Sequence, residues 1–237
     1  MPDKAAVRDC VWRRLLAAGV VPADSYGKIP SFDGADATAH RLAETDFWQQ
    51  ATTVKANPDH AQLPVRIQAL NDGKLLYMAV PRMATPQPFY ILDPATLDLP
   101  AERAADKEGA AKVTRYVGID EMRPIDVVVC GSVAVNRTGT RIGKGAGYSD
   151  LEVALLIEAG LVTDHTVIVA PVHPLQIIDD DIPETEHDFS VDYIITSDQV
   201  ISCPDRRRPT GIVWDDLTSG KINTIPVLKA RQQKDHR

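Results

Sequence analysis

The chain has 237 residues, of which 44% are hydrophobic, a composition typical of a globular protein with a substantial core. Its 33 acidic residues outnumber the 26 basic ones, and the net charge of −7 argues against general affinity for nucleic acids. No apolar run approaches the ~20 residues of a membrane span, and the three cysteines show no metal or disulfide spacing. The start is charged and helical rather than a secretory signal, so we expect a cytoplasmic protein with reduced thiols and one domain over residues 1–237.

Apolar periodicity and turn residues predict the elements of the first half of the chain. The predicted order is a helix over residues 3–18, a loop over 21–36, a short helix over 37–48 and a hairpin over 65–83. The hairpin is predicted because apolar residues alternate on both sides of an Asn-Asp-Gly turn at 71–73. Residues 86–118 are rich in proline and then in charge. We expect them to form a peripheral insertion with one helix over 101–113.

Three apolar, β-branched runs in the second half predict buried strands, at residues 124–135, 167–171 and 191–196. Strands this apolar are covered on both faces, which is typical of a parallel sheet between two layers of helices. We expect residues 124–135 to form the central strand. Ligands usually bind at the carboxyl end of such a strand.

A cationic glycine loop follows the central run. Gly143, Gly145 and Gly147 alternate with other residues, and Arg141 and Lys144 are interleaved with them. Glycines let a backbone approach a phosphate and turn its N–H groups inward. Asp150 and an apolar helix come next, and a helix start adds partial positive charge. The glycine loop, residues 143–147, therefore indicates anion binding.

The alternative for this stretch is a tight turn between a strand and a helix. The pattern lacks the Gly-Lys-Ser/Thr ending of a Walker A loop and the spacing of the Rossmann fingerprint. No zinc spacing and no Gly-x-Ser-x-Gly elbow occurs elsewhere. A phosphate pocket with a carboxylate at its edge suits phosphoryl transfer. Arg141 would grip phosphate in a bidentate manner, Lys144 would act as a point charge, and Asp150 would hold Mg²⁺.

The segment TRIGKGAGYSD resembles the signature of the 5-formyltetrahydrofolate cyclo-ligase family, which reads roughly Asn-Arg-Leu-Gly-x-Gly-x-Gly-Tyr-Tyr-Asp. The flanking segments VVVCGSVAV and DLEVALLIEAG resemble a divergent branch of cyclo-ligase domain-containing paralogues more closely still. The resemblance is strong over residues 126–201 and weak before them. It implies a three-layer α/β fold with a mostly parallel central sheet and helices on both faces, similar to the NagB/RpiA/CoA-transferase group and Rossmann-like.

The resemblance also implies an activity and its cofactors. Cyclo-ligases use ATP and Mg²⁺ to phosphorylate the formyl oxygen of 5-formyltetrahydrofolate; N10 then attacks, phosphate leaves, and 5,10-methenyltetrahydrofolate forms with ADP. By the match, the three loop glycines and Arg141 cradle phosphates, with Lys144 beside them. Asp150 holds Mg²⁺, and Tyr148 faces the folate.

Further binding residues come from the same resemblance. The start KAAVR is similar to the Lys-x-x-Leu-Arg of cyclo-ligases, whose cations reach the nucleotide phosphates. Without this resemblance, a pair such as Lys4 and Arg8 is more typical of a solvated helix face. Arg82 ends a strand in Pro-Arg, as in the family, and would hold an anion. Gln176 matches the glutamine of the family's Phe-x-x-Gln and is a further nucleotide-binding candidate.

The chain departs from the family where folate should lie. Tyr-Tyr-Asp-Arg is here Tyr148-Ser149-Asp150-Leu151, and His173 replaces the phenylalanine. Two alternatives therefore stay open: an ATP-dependent paralogue acting on another heterocyclic, thiamin-related substrate, and a non-catalytic nucleotide- or folate-binding module. The paralogues and the cationic run at residues 206–208 suggest an RNA-associated protein as a third, although nucleic acid is disfavoured by the charge.

Two smaller features also allow two interpretations each. His187 and Asp188 could form a catalytic pair, but a turn is favoured. The aromatic residues Phe32, Phe47 and Trp48 could line a ring-binding pocket, but core packing is favoured. The run at residues 206–208 is most simply a solvated loop. The sequence leaves the oligomeric state open.

Overall fold

The computed structural model describes residues 3–235 of the chain. The strands found there, in chain order, are β1 (Thr53–Ala56), β2 (Leu75–Ala79), β3 (Phe89–Leu92), β4 (Tyr116–Val117), β5 (Val127–Val129), β6 (Ala134–Asn136), β7 (Arg141–Ile142), β8 (Val167–Pro171), β9 (Ile177–Ile178), β10 (Tyr193–Ile195) and β11 (Val200–Ser202). The α-helices are α1 (Lys4–Ala17), α2 (Ala35–Ala43), α3 (Asp46–Gln50), α4 (Leu63–Asn71), α5 (Ala101–Ala104), α6 (Lys107–Val113), α7 (Tyr148–Glu158), α8 (Ser219–Thr224) and α9 (Pro226–Asp235).

An eight-stranded sheet forms the centre of the fold, in the order β11-β10-β8-β5-β1-β2-β3-β4. Its middle strands, from β10 to β2, are all parallel, and the strands at both edges are antiparallel. A smaller sheet in the order β7-β6-β9 lies under α1.

Helices cover both faces of the large sheet because alternate strand residues point to opposite sides. Val127 and Val129 pack with α2 and α4 on one face. Val128 packs with α7 on the other face. The predicted three-layer α/β fold with a mostly parallel sheet is confirmed.

The predicted hairpin over residues 65–83 is wrong. Its first half is α4, and β2 pairs in parallel with β1. Val65 and Ala69 are both buried and lie four residues apart, so the apolar pattern is helical rather than alternating. Gly73, at φ 72°, ends the helix, and the backbone N–H of Lys74 donates to the carbonyl of Ala69 at 2.9 Å.

The predicted single strand over residues 124–135 is also wrong, because β5 and β6 belong to different sheets. The chain leaves the large sheet at Gly131, which is closely packed: a Cβ there would lie 3.0 Å from Oε1 of Gln62. The apolar run is continuous because both strands are buried, and burial does not report pairing. As a result, the glycine loop follows the β6–β7 hairpin and not the central strand.

Residues 86–118 do not form the peripheral insertion that was predicted, because part of them belongs to the large sheet. They contain β3 and β4, which extend the large sheet at one edge, and Phe89 and Val117 are fully buried. The helix predicted over 101–113 is divided into α5 and α6, because Asp106 caps α6 by accepting from the backbone N–H of Glu108 at 2.9 Å. The helix predicted over 37–48 is likewise divided, into α2 and α3.

The three cysteines are free, and they differ in exposure: Cys10 is exposed, whereas Cys130 and Cys203 are buried. Burial raises the pKa of Cys130, and it raises the pKa of Cys203 to about 11. Because the thiolate is the reactive form, iodoacetamide at neutral pH is expected to alkylate Cys10 alone in the native protein, as read by peptide mass spectrometry. All three should react after denaturation. Native labelling of Cys203 at neutral pH would contradict the burial described here.

Candidate anion-binding site

A cavity of about 570 Å³ opens at the carboxyl ends of the parallel strands. The segments that follow β1, β2 and β5 contribute Asp59, Arg82 and Gly131 to its wall, and α1 contributes Lys4 and Arg8. The glycine loop closes the remaining side. This position is the usual ligand side of an open α/β sheet.

The glycine loop has the backbone conformation that only glycine adopts readily. Gly145 and Gly147 have φ values of 100° and 68°, in the left-handed region. Gly147 is also the residue at which α7 begins, so the partly positive helix start faces the loop. A Cβ on Gly145 would lie 3.4 Å from Cζ of Arg8, which shows how closely the loop and α1 approach each other.

Arg141 is the most constrained cation of the cavity wall. It lies on β7 with 2% of its surface exposed, and its guanidinium carbon lies 4.0 Å from the centre of the Phe189 ring. Its Nη2 pairs with Oδ1 of Asp150. Within residues 3–235, its Nε and Nη1 have no hydrogen-bond partner. Buried donors without a partner are costly, and Arg141 lines the cavity, so an anion bound there could supply the missing acceptors.

Other cations around the cavity are held by groups of the protein itself. Lys4 Nζ lies 2.5 Å from Oδ2 of Asp188, and Lys144 Nζ lies 2.9 Å from Oδ1 of Asp59. Arg8 Nε donates to the carbonyl of Gly143 at 2.6 Å. These contacts orient the side chains towards the cavity. Every cation predicted from the sequence, Lys4, Arg8, Arg82, Arg141 and Lys144, lines the cavity.

The turn that carries Arg82 is strained. Arg82 and Met83 have φ values of 59° and 50°, a conformation that is rare for residues with a side chain. Met83 is fully buried in an apolar cluster with α7 and the C-terminal helices, and this packing holds the turn. Arg82 itself is exposed and lines the cavity.

Asp150, the predicted Mg²⁺ ligand, lies on the first turn of α7 and lines the cavity. Arg141 pairs with its Oδ1, which leaves Oδ2 as the oxygen that could reach a cation. In the described part of the chain, no group of three or more His, Cys, Asp and Glu side chains could hold a metal. Mg²⁺ commonly takes one or two carboxylates together with phosphate oxygens, so a single carboxylate beside an anion site suits it.

A buried ion pair behind the glycine loop was missed by the sequence analysis. Lys55 Nζ and Glu152 Oε2 are 2.6 Å apart, and their side chains are only 0% and 4% exposed. Asn57 donates from Nδ2 to the same oxygen at 2.8 Å and accepts from the backbone N–H of Gly131 at 3.2 Å. The pair joins β1 to α7 at the cavity wall. Its sequence signal was weak: Lys55 is the one charged residue of β1, but Glu152 is one of three acidic residues in α7.

Gln176 does not belong to this site. Its Nε2 donates to the carbonyls of Ser132 at 2.8 Å and Val133 at 3.2 Å, and its Oε1 accepts from the backbone N–H of His173 at 2.8 Å. It is buried and is absent from the cavity wall. The prediction of a nucleotide contact is therefore replaced by a structural role, which is to join two loops.

Tyr148 lies at the start of α7 and is covered by a residue that the sequence analysis did not single out. Lys221, at the start of α8, places its Nζ 3.8 Å from the centre of the Tyr148 ring. The same Nζ donates to the carbonyl of Ala146 at 2.7 Å. The C-terminal segment, residues 211–228, therefore contacts both the glycine loop and the ring beside it.

The favoured interpretations of two minor features are confirmed. His187 and Asp188 lie in a turn, because the backbone N–H of Asp188 donates to the carbonyl of Thr185 at 3.1 Å. The aromatic residues Phe32 and Trp48 are buried, and Phe47 stacks on Tyr193 with ring centres 4.8 Å apart.

The cationic run at residues 206–208 is not simply a solvated loop. Arg206 and Arg208 contact the two oxygens of the buried Asp192 at 2.8 Å and 2.7 Å. These contacts anchor the loop after β11, and the shared carboxylate offsets one of the three positive charges that suggested RNA.

The Lys4–Asp188 pair should make stability depend on pH. Burial opposes ionisation of Asp188, but hydrogen bonds from Lys4 and Thr185 outweigh it and hold the pKa below its ordinary value of 3.8. A lowered folded-state pKa contributes stability above the unfolded value, and the contribution is lost as pH falls through the folded value. We expect the stability gap between the wild type and Asp188→Asn to shrink between about pH 5 and about pH 2, as measured by urea unfolding. A gap that stays constant over this range would contradict the assignment.

The chain is similar to a known protein family and to several known proteins. The family model described as the 5-formyltetrahydrofolate cyclo-ligase family matches residues 1–197. A Mus musculus protein called methenyltetrahydrofolate synthase domain-containing protein is 36% identical over 242 residues, which cover 98% of this chain and 64% of that protein. The Homo sapiens protein of the same name is 33% identical, with 98% and 62% covered. The chain thus spans less than two thirds of the length of these relatives.

A solved structure has a similar fold. The NMR structure of Aquifex aeolicus 5,10-methenyltetrahydrofolate synthetase aligns with a TM-score of 0.53 over 85% of this chain and 95% of that one. Sequence identity is 17%, so this similarity concerns the fold alone. No helix within residues 3–235 is long and apolar enough to cross a membrane.

Proposed function

The chain belongs to the 5-formyltetrahydrofolate cyclo-ligase family, and from this premise we propose that it is an ATP-dependent ligase whose cavity holds the phosphates of MgATP. The observation that carries the proposal is the pair of buried donors of Arg141, Nε and Nη1, which have no partner within the described residues. Nη1 lies beside Gly143, where an added Cβ would be 3.4 Å from it. The two donors point to different sides of the guanidinium, because the donor directions of Nη2, which is held by Asp150, lie between them. Each would therefore supply one charge-assisted hydrogen bond to a separate phosphate oxygen.

The surrounding residues fit a polyphosphate and its metal. Lys4, Arg8 and Lys144 supply further positive charge at the cavity wall, and the start of α7 supplies partial charge. A phosphate that binds Lys4 or Lys144 competes with the carboxylates that now hold them. Asp150 would hold Mg²⁺, which neutralises the charge that develops on the transferred phosphoryl group. The side chains of the protein bind and orient; they need not form a covalent bond.

The acceptor that we propose first is 5-formyltetrahydrofolate, which would be converted to 5,10-methenyltetrahydrofolate. One observation favours a different heterocycle, such as a thiamin-related one, as the second candidate. Tyr148, which family resemblance would set against folate, carries the Lys221 ammonium on its ring at 3.8 Å. A folate that stacked on this face would have to displace Lys221. The replacement of the second tyrosine and the arginine by Ser149 and Leu151 favours the same candidate.

One experiment separates these possibilities. The protein is incubated with MgATP and 5-formyltetrahydrofolate, and methenyl absorbance and ADP are followed together. The two should rise in equal amounts if folate is the acceptor. Release of ADP with a different heterocycle alone would favour the second candidate. Tight ATP binding without ADP release under any condition would indicate a non-catalytic binding module, and a lack of ATP binding would defeat the proposal.

A further inference from the structure

A second cavity, of about 220 Å³, lies against the first, and half of its lining residues lie outside the family match. The family model ends at residue 197, whereas this half of the wall is formed by Ile212, Val213, Asp216, Leu217, Thr218 and Lys221. The opposite wall is the first half of α7, with Leu151 and Ala154. The C-terminal segment therefore adds a compartment to the core of the family fold.

The two cavities share part of their lining along the glycine loop and at the start of α7. Ala146, Gly147, Asp150 and His187 line both of them. A molecule that reached the phosphates in the first cavity could therefore extend into the second around the start of α7. The second cavity is smaller than the about 300–1,000 Å³ of a complete ligand pocket, so it suits one part of a larger ligand.

The charged side chains around this second cavity already contact polar groups of the protein. Asp216 Oδ2 lies 3.3 Å from Nδ1 of His187, Asp150 pairs with Arg141, and Lys221 donates to the carbonyl of Ala146. The interior is apolar, with Leu151, Ala154 and Ile212 at most 8% exposed. A charged group would lose hydration there without gaining a partner, whereas a neutral apolar group would gain burial.

We propose that this second cavity is the binding site for the neutral ring of the acceptor, one ring or two fused rings in size, whose phosphorylated oxygen lies at the glycine loop. This proposal rests on the proposed function for the identity of the phosphate donor. Apolar walls hold the ring, and the polar groups at the mouth, His187 and Asp216, orient it. The C-terminal segment is then a specificity element and not only a cover for α7.

The test uses the full chain and two neutral ring probes, pterin and quinazoline, with binding followed by saturation-transfer NMR. Val213 lines the second cavity, is partly exposed and lies on the C-terminal segment, so Val213→Phe should fill the space. We expect at least one probe to bind the wild type and to lose tenfold or more in affinity in this variant. The affinity for the ATP analogue AMP-PNP should change less than twofold. Val200→Phe, at an exposed position on β11, is the matched control and should change neither.

The converse variant makes the two proposals separable. Arg141→Lys should weaken AMP-PNP binding and leave ring binding within twofold. Absence of binding by both probes, or ring affinity that Val213→Phe leaves unchanged, would overturn the ring site. If the wild type does not bind AMP-PNP, the proposed function is overturned, and the assignment of the ring to an acceptor is overturned with it. If Val213→Phe fails to fold, Leu217→Phe fills the same space and decides the question.

Discussion

Replacing Arg141 by lysine is expected to lower the affinity for MgATP by at least tenfold. Lysine keeps a positive charge beside Asp150 but cannot present the two N–H groups, Nε and Nη1, that lack a partner within the described residues. Loss of hydrogen bonds to a charged group costs about 1.5–3 kcal/mol, which corresponds to about 10- to 100-fold in affinity. Isothermal titration calorimetry on the wild type and the variant measures the change.

Lys144→Ala is the comparison variant for this prediction. The Lys144 side chain is 43% exposed and already paired with Asp59, so its contribution is reduced by solvent. We expect its removal to lower the affinity for MgATP less than the loss of the two Arg141 donors does. Thermal unfolding of Arg141→Lys must remain near that of the wild type, because the variant keeps an ion pair with Asp150. Equal affinities in all three proteins would defeat the assignment of the anion site.

Replacing Lys55 by methionine is expected to lower the free energy of unfolding by about 3–5 kcal/mol, the usual cost of breaking a buried ion pair from one side. Glu152 would remain in the interior with the amide of Asn57 as its remaining partner among those described. The double variant Lys55→Met/Glu152→Leu removes both charges. It should recover most of the loss, because a buried pair contributes little over well-packed apolar groups. Urea unfolding of the wild type, both single variants and the double variant gives the full cycle.

A surface pair provides the control for this cycle. Lys28 and Asp24 also lie 2.6 Å apart, but their side chains are 61% and 78% exposed. Lys28→Met should therefore change the free energy of unfolding by less than about 1 kcal/mol. A similar loss in Lys55→Met and Lys28→Met would show that the interior pair is solvated and would contradict its burial.

The glycine loop and its cations could be predicted because their signal is local. Gly145 and Gly147 need left-handed φ values, Lys144 stands between two glycines, and Arg141 lies two residues before the first. The helix α7 begins directly after the loop. All of this lies within a dozen residues. Lys4 and Arg8 were predicted through resemblance alone, since nothing in their own neighbourhood distinguishes a cavity wall from a solvated face.

The errors share one physical origin, which is that apolarity reports burial but not pairing. The hairpin prediction for residues 65–83 mistook a helix with one buried side for a strand. Residues 124–135 were predicted to form one strand because the two strands that they contain, β5 and β6, are both buried. Gln176 matched a motif, yet its amide is used entirely by the loops around Ser132 and His173.

The sequence by itself determined the layered α/β class, the glycine loop and the family, because periodicity, glycine spacing and a contiguous motif are encoded between near neighbours. Only the tertiary structure decided which residues meet across the chain. Lys55 reaches Glu152 over 97 positions, and Lys221 reaches Ala146 over 75. Such contacts produce no periodic pattern in the sequence, because the packing of whole helices and strands decides which residues meet. The second cavity depends on that packing as well, because one wall is α7 and the other is a segment that follows some fifty residues later.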